Sequence, residues 1–347
     1  MQICICRISV KIKIGDITKI RTGKLDANAA DENGQYPFFT CSKEPLKINT
    51  YSYDCECVLV AGNGDLNVKY YNGKFDAYQR TYIIEDDSDG LLFMPYLYFF
   101  MESYIDELRK QSIGGVIKYI KLKNLTDALI ELPSIEVQRK IVNIISKSKE
   151  IVRRKENEFE LLDELVRARF VEMFGEIEDC DKWESKIWNE VVTIKNGRDY
   201  KKVLVSDGGY PVVGTGGEIA RASKYLCPEN TIVVGRKGSI NNPMLMKEKF
   251  WNVDTAFGVI PNSDYLHYQY FYCFCKFYNF MKLNKATTLP STTKADLLKI
   301  RINIPPLELQ NQFASFVQEI DKSRYRIQKS LEASQELFDS LMQEYFG

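Results

Sequence analysis

The cysteines and the histidine are the residues of this sequence that could most readily bind a metal or act as nucleophiles. The nine cysteines include three Cys-x-Cys pairs, which are Cys4/Cys6, Cys55/Cys57 and Cys273/Cys275. Side chains two residues apart in a strand point to the same face, so we expect reduced thiols in or beside strands. Zinc needs four ligands at recognisable spacings, whereas this sequence has no Cys-x-x-Cys and a single histidine, His267. The sequence therefore predicts no metal site.

Motifs for phosphate, nucleotide and methyl-group chemistry are absent from the sequence. There is no Gly-x-x-x-x-Gly-Lys-Ser/Thr loop, and Gly214-Thr215-Gly216-Gly217 is not a Gly-x-Gly-x-x-Gly that follows a strand. Asn242-Pro243-Met244 differs from the Asn-Pro-Pro-aromatic motif of amino-methyltransferases. With one histidine, a His-based triad or general base is not expected, and no spacing of acidic residues supports a nuclease site. We predict no catalytic residue.

The chain consists of two related halves. A shift of 174 residues aligns Gly23 with Gly197 and Gly64 with Gly238 without a gap, and a shift of 172 aligns 132–175 with 304–347. Ten of the 44 pairs in the second block are identical. Two ungapped blocks in the same order indicate a duplicated unit. The predicted domains are globular at 1–131, a helix and linker at 132–182, globular at 183–303, and a second helix at 304–347.

The globular parts have the pattern of a mixed α/β (α+β) fold. Short β-branched and aromatic runs predict strands at Val58–Ala61, Arg80–Ile84, Thr231–Val234 and Phe257–Ile260. Aromatic-rich stretches predict helices near Met94–Lys110 and Tyr265–Leu283. We interpret the aromatic rows as core, because the bases of a DNA duplex remain in their own stack.

Ile135–Phe174 and Leu307–Phe346 are predicted to be long helices that pack antiparallel against each other. Each follows a proline boundary and runs for about 40 residues without Gly or Pro. The predicted contact residues are Ile141, Ile145, Val152, Phe159, Leu162, Val166, Phe313, Val317, Ile320, Ile327, Leu331, Phe338 and Leu341. Polar interruptions such as Ser148 and Arg324 favour a helix pair over a lone amphipathic helix packed on its own domain. At ~1.5 Å per residue each helix spans about 55–60 Å, which is typical of a spacer.

The charge is divided unevenly along the chain. The formal net charge of zero splits into −2 for 1–131, −2 for 132–182, +7 for 183–303 and −3 for 304–347. The second globular part therefore has the excess of cations that phosphate binding needs, and the first does not. No apolar stretch is long enough to span a membrane, and the apolar start is too short for a secretory leader. We expect a cytoplasmic protein.

The doubled arrangement of a globular domain followed by a long helix resembles the specificity subunits of type I restriction–modification systems. The resemblance rests on Leu-Pro-Ser-Ile-Glu-Val-Gln at 132–138 and Ile-Pro-Pro-Leu-Glu-Leu-Gln at 304–310, and on the Phe-Gly ends at 174–175 and 346–347. It covers essentially the whole chain. It implies two target-recognition domains that read the halves of a split, asymmetric double-stranded DNA sequence. It also implies two bound copies of a methyltransferase (modification) subunit, and restriction subunits as possible further partners. S-adenosylmethionine, and ATP with Mg²⁺ for restriction, would then belong to the partner subunits and no cofactor to this chain.

Glycine-containing and basic loops are the candidate DNA contacts, because Lys, Arg and backbone amides bind phosphates while polar side chains read base edges. The loops that follow the predicted strands contain Gly62, Asn63 and Gly64 in the first repeat, and Arg236, Lys237, Gly238 and Ser239 in the second. Later loops contribute Lys110, Ser112, Lys285, Thr287 and Thr288. Weaker candidates are Lys69, Tyr70, Arg80, Arg198, Lys201 and Lys202.

Two other classes of function remain open from the residues alone. A protein–protein scaffold with a coiled-coil spacer fits the near-neutral first domain. An enzyme with embedded recognition, such as a nuclease, is disfavoured by the missing motifs. Salt-dependent binding of duplex DNA separates a DNA reader from a scaffold, because only the former releases counterions.

Overall fold

Two units make up the fold. The computed structural model describes residues 10–177, 183–284 and 289–347. Unit one comprises the chain up to Lys155 together with Ser330–Gly347, and unit two comprises Glu156–Lys329. Each unit therefore holds one globular domain and a part of each of two long helices.

Unit one is built mainly from strands, with one long helix against the sheet. Its elements are β1 (Val10–Lys13), β2 (Thr18–Thr22), β3 (Tyr36–Phe39), β4 (Leu46–Ile48), β5 (Tyr53–Ala61), β6 (Val68–Ala77), β7 (Thr81–Asp86), α1 (Met94–Gln111), α2 (Leu122–Thr126), β8 (Leu129–Leu132), the start of α3 (Ile135–Phe174), and 3-10 turns at Ile14–Asp16 and Ala27–Ala29.

The main sheet of unit one has the strand order β2-β7-β5-β6-β3-β4, and β1 pairs separately with β8. Both faces of its central strand are covered. Val58 and Val60 are buried in one cluster with Leu97 of α1, while Leu59, on the opposite face, packs with Phe75. Burial on both faces explains why β5 ends in an unbroken apolar run rather than an alternating one.

Unit two follows the same plan with shorter strands. Its elements are β9 (Ser185–Ile187), α4 (Trp188–Val191), β10 (Val192–Asn196), β11 (Leu204–Val205), β12 (Tyr210–Gly214), β13 (Gly217–Ala222), β14 (Thr231–Gly235), β15 (Met244–Met246), β16 (Trp251–Asn252), β17 (Ala256–Pro261), α5 (Tyr268–Phe277), α6 (Lys294–Leu297), β18 (Arg301–Asn303), the start of α7 (Leu307–Phe346), and 3-10 turns at Lys201–Val203 and Phe280–Leu283.

Two four-stranded sheets, β10-β17-β14-β15 and β11-β13-β12-β16, form the body of unit two, and β18 pairs with β9. Ile232 and Val234 of β14 share a core cluster with α5. Trp188 is fully buried there, with its ring centroid 5.1 Å from that of Phe271. The aromatic rows therefore form the core, as the sequence predicts.

The strand before each long helix is tied to the aromatic helix in the same way in both units. The Tyr96 hydroxyl donates to the Glu131 carbonyl at 2.8 Å, and the Tyr270 hydroxyl donates to the Asn303 carbonyl at 2.9 Å. These two pairs occupy equivalent positions of the sequence repeat. The duplication is therefore structural as well as sequential.

The long helices α3 and α7 have the bounds that the sequence predicts, and their pairing is confirmed. In unit two the Phe313 ring lies 5.6 Å from Phe170 and 5.4 Å from Phe174, while Asp163 accepts from Arg324. Rising residue numbers on α3 thus meet falling numbers on α7, so the helices run antiparallel in this unit. Of the predicted contact residues, those buried are Ile141, Ile145, Val152, Val166, Phe313, Val317 and Ile320; half-buried are Phe159, Leu162, Ile327, Leu331, Phe338 and Leu341.

Two local predictions need correction. The helix predicted at Tyr265–Leu283 is shorter, ending at Phe277 before a separate 3-10 turn. Cys273 and Cys275 lie on α5 and not in a strand, although both are buried. Burial raises the pKa of the Cys273 thiol to about 12, which keeps it protonated. Aromatic density at helical spacing outweighed the strand interpretation of the Cys-x-Cys pattern.

Candidate nucleic-acid interface

One edge of the main sheet in unit one collects the candidate loops. Strands β2 and β5 both run antiparallel to β7, with Thr22 opposite Tyr82 and Ala61 opposite Thr81. The carboxyl ends of β2 and β5 therefore meet at the amino end of β7. The loop 62–65 and Arg80 emerge there, and we name this place the loop edge of unit one.

A second loop is hydrogen-bonded onto the same edge. The Gly64 amide donates to the Lys118 carbonyl, and the Ile120 amide to the Gly62 carbonyl, both at 2.9 Å. The loop 112–119 thus lies beside the loop 62–65, which brings Ser112 and the end of α1 with Lys110 into this region. Asp65, the acidic residue of the first loop, pairs with Arg109 at 3.4 Å.

Unit two has an equivalent loop edge, built by the same rule. Strands β10 and β14 both pair antiparallel with β17, with Asn196 opposite Phe257 and Gly235 opposite Ala256. The loops 197–202 and 236–239 therefore emerge together.

The two interloop hydrogen bonds of unit one recur in unit two. The Gly238 amide donates to the Pro290 carbonyl at 2.9 Å and the Thr292 amide to the Arg236 carbonyl at 3.0 Å. The candidates Lys285, Thr287 and Thr288 lie outside the described residues.

A glycine holds the turn at each loop edge. Gly64 has φ +71° and Gly238 has φ +81°, in the left-handed region that other L-residues rarely adopt. In each case the amide of this glycine makes the interloop hydrogen bond. The glycine therefore serves the pairing of the two loops.

The loop edge of unit two presents a row of exposed cations. Arg198, Lys201, Lys202, Arg236 and Lys237 are all exposed. Arg236 donates to the Asp254 carbonyl at 3.3 Å, and the backbone of Arg198 is held by Trp251, whose indole donates to its carbonyl at 3.0 Å. Ser239 is also exposed on this edge. Such groups suit phosphates and guanine edges.

Unit one contains an acidic run, Glu85, Asp86, Asp87 and Asp89, that begins away from its loop edge. Glu85 and Asp86 are at the far end of β7, four and five residue steps of about 3.4 Å from Thr81, or ~14–17 Å. Residues 110–126, by contrast, contain four exposed lysines and no acidic residue. The overall charge of −2 thus conceals a basic loop edge. Counting charge over shorter segments of the sequence would have revealed these lysines. Only the strand register shows that the acidic residues lie at the other end of β7.

Lys69 and Tyr70 are engaged within unit one on opposite faces of β6. Lys69 donates to Asn67, and burial lowers the pKa of its ammonium group. Tyr70 donates to Glu56 at 2.7 Å, and burial raises the pKa of its phenol to about 12. Arg80 is exposed, and its carbonyl accepts from the Gly62 amide at 2.8 Å. Arg80 emerges at the loop edge, whereas Lys69 and Tyr70 lie within the sheet, opposite Leu59 and Val58.

Gln138 joins the first globular domain to its long helix. It is fully buried. Its carbonyl oxygen accepts from the Phe93 amide, and its amide group donates to the Leu91 and Pro133 carbonyls, each at 2.8 Å. All the hydrogen-bonding contacts come from the backbone before α1 and before α3, so one side chain ties both segments together.

Gln310 repeats this arrangement in unit two. Its oxygen accepts from the His267 amide at 2.7 Å, and its nitrogen donates to the Tyr265 and Pro305 carbonyls at 2.9 and 2.8 Å. The alignment of the two halves of the chain shows both glutamines as identical residues but does not reveal their role. The fixed Pro-x-x-Glu-x-Gln spacing was the signal.

Among the described residues, no group of three or more His, Cys, Asp and Glu side chains is arranged to hold a metal ion. Within the same ranges, no helix is long and apolar enough to cross a bilayer.

Comparison with known proteins places this architecture in a family. The type I restriction modification DNA specificity domain matches residues 9–161 and 180–335, that is, once in each half. The specificity subunit of the Escherichia coli type I restriction enzyme EcoDI is 45% identical over 123 residues, covering 35% of this chain and 27% of that protein. The match thus spans about a quarter of the relative's length.

Solved structures show the same fold along the whole chain. The S subunit of a type I restriction-modification system from M. genitalium aligns with a TM-score of 0.68 at 16% identity, covering 100% of this chain and 98% of that one. A second chain aligns with a TM-score of 0.58 at 15% identity over 97% of both chains. It comes from a structure on complex assembly and conformational transition of the type I R-M system. With the specificity domain matched in both halves, this chain belongs to the type I restriction modification DNA specificity family.

Proposed function

We propose that this chain is the DNA-reading subunit of a type I restriction–modification complex, in which each loop edge reads one half of a bipartite, asymmetric target. The observation that carries the proposal is the repeated loop edge, where two hydrogen-bonded loops recur at equivalent positions. Each edge also has exposed cations, although they stand at different positions in the two halves. Family membership supports the same function. Because the loops differ in sequence between the halves, two different half-sites follow.

The partners in this proposal are double-stranded DNA and two copies of a methyltransferase (modification) subunit, one for each half of the repeat. Restriction subunits would join a complete complex. S-adenosylmethionine, and ATP with Mg²⁺, would bind those partners and not this chain. The complex would work in the cytoplasm, where its DNA lies.

Removing two of the exposed cations at the loop edge of unit two should weaken DNA binding measurably. We expect Arg236→Ala/Lys237→Ala to weaken binding by ~1–3 kcal/mol if Arg236 contacts a base edge in bidentate fashion, and to lower the salt slope by about one for each phosphate that the variant no longer binds. Fluorescence anisotropy of a labelled duplex across a salt series measures both quantities.

The matched control is Lys299→Ala/Arg301→Ala. It removes the same charge from exposed positions at and just before β18, away from the loop edge. Its affinity and slope should follow only the general loss of two charges. An Arg236→Ala/Lys237→Ala variant with the slope and affinity of this control would show that the loop does not contact DNA.

We expect no methyl transfer from the purified chain alone. Incubation with DNA and labelled S-adenosylmethionine should leave the DNA unlabelled until the modification subunit is added, because the chain lacks the methyltransferase motif. Robust labelling by this chain alone would favour the enzyme alternative. Absence of any salt-dependent duplex binding would favour the scaffold alternative.

A further inference from the structure

The tip of the loop 112–119 in unit one is apolar and exposed. Val116 is fully exposed and Ile117 is 63% exposed, and Ile113 and Tyr119 are exposed to a lesser degree. Surface loops are usually formed by small and polar residues. Exposed apolar side chains that lie together mark interaction sites more often than single ones do.

This tip is held in place by the backbone. Ile113 and Tyr119 exchange two hydrogen bonds of 3.0 and 2.9 Å across the loop, which the Gly64 amide also anchors through Lys118. Gly114 has φ +119°, and a Cβ there would lie 2.5 Å from the Ile117 carbonyl oxygen. The loop therefore needs a glycine and presents Val116 and Ile117 beside the loop edge in a defined conformation.

The surroundings of the tip are cationic. Lys110, Lys118, Lys121 and Lys123 are exposed on either side of it in the sequence, and residues 110–126 contain no acidic side chain. Two of these lysines pair with carboxylates just outside that segment, Lys110 with Glu107 at 3.3 Å and Lys123 with Asp127 at 3.8 Å. An apolar tip between cations matches duplex DNA. Its phosphates attract lysines, while the C5-methyl group of thymine offers the apolar contact in the major groove.

We propose that Val116 and Ile117 contact the C5-methyl group of thymine in the major groove, so that the half-site read by unit one contains thymine at the contacted position. The proposal rests on the DNA-reading function and specifies its base chemistry. Leu289, at the repeat position equivalent to Ile117, is also exposed, which is consistent with an apolar contact in the other half.

The test uses the full-length purified chain and two pools of random-sequence duplex, one made with dT and one with dU, which lacks only the methyl group. We expect the chain to enrich a thymine-containing motif from the first pool. The same motif made with dU should bind about three- to fivefold more weakly for each contacted methyl, the value typical of burying one such group.

The Val116→Ser/Ile117→Ser variant should lose the preference for that thymine and bind dT and dU duplexes equally. Leu129→Ser, which removes a similarly exposed leucine on β8, should behave as the unchanged chain. Equal binding of dT and dU duplexes by the unchanged chain would overturn the methyl contact. If the serine variant nevertheless bound both duplexes more weakly, the two apolar residues would act as a wedge between base pairs. A thymine preference retained by the serine variant would also overturn it. Failure to enrich any motif would overturn the DNA-reading function itself.

Discussion

Replacing Gln138 with leucine should destabilise unit one by about 2–4 kcal/mol, because it leaves one buried amide and two carbonyls without their partner. Those groups are the Phe93 amide and the Leu91 and Pro133 carbonyls. Loss of volume is not the cause, since leucine has a similar size. Urea unfolding followed by circular dichroism should show a lower midpoint. Hydrogen exchange at the Phe93 amide should be faster by tenfold or more, because the exchange rate rises as the local free energy of unfolding falls.

Two further variants separate the hydrogen bonds from general effects on the helix. Gln138→Glu retains the acceptor for Phe93 but loses both donors, and it places a carboxylate beside two carbonyl oxygens. It should be at least as unstable as Gln138→Leu. Gln335→Leu changes an exposed glutamine of α7 whose side chain donates to Asp339, and it should stay within ~0.5 kcal/mol of the unchanged chain. If Gln138→Leu unfolded at the same midpoint as Gln335→Leu, the buried glutamine would not be what joins the domain to its helix.

The sequence predicted the elements whose signals are local or repeated. Both long helices begin and end where the patterns of Ile135–Phe174 and Leu307–Phe346 place them, because apolar residues three and four apart over some 40 residues without Gly or Pro favour one continuous helix. The duplication was visible as two ungapped alignments. The sequence did not predict that the candidate loops share one edge of each sheet. That placement follows from the strands that pair antiparallel with β7 and β17, and strand pairing joins residues far apart in the sequence.

The rest depends on contacts between distant residues. Gln138 binds backbone groups at Leu91 and Phe93, more than 40 positions away, and backbone groups have no sequence signature. Tyr70 is a plausible DNA contact by residue type, yet its hydroxyl donates to Glu56 on the neighbouring strand. The acidic residues at 85–89 argue against DNA binding only until the direction of β7 is known.

The recognised DNA should be bipartite and asymmetric, with an unread gap of roughly 5–7 bp. Readers on one face of a duplex prefer centres about one turn apart, ~34 Å or 10 bp, and half of each ~3–5 bp footprint is subtracted from that turn. Two different half-sites are expected because Gly62 and Asn63 occupy the positions equivalent to Arg236 and Lys237. Methylome sequencing of a host that expresses this chain with its partner subunits reads the target directly.

Deleting seven residues from the middle of each long helix, 153–159 and 326–332, tests whether the helices set that gap. A heptad preserves the apolar seam, since the seam repeats about every 3.5 residues, and shortens each helix by about 10.5 Å. The gap should then shrink by about 3 bp, or binding should be lost, because each base pair rotates one half-site by about 34–36° relative to the other. The bases read in each half should not change, because the loop edges lie outside the deleted segments. A continuous or palindromic target, or a gap that varies freely in the unchanged chain, would contradict both the two readers and the helical spacer.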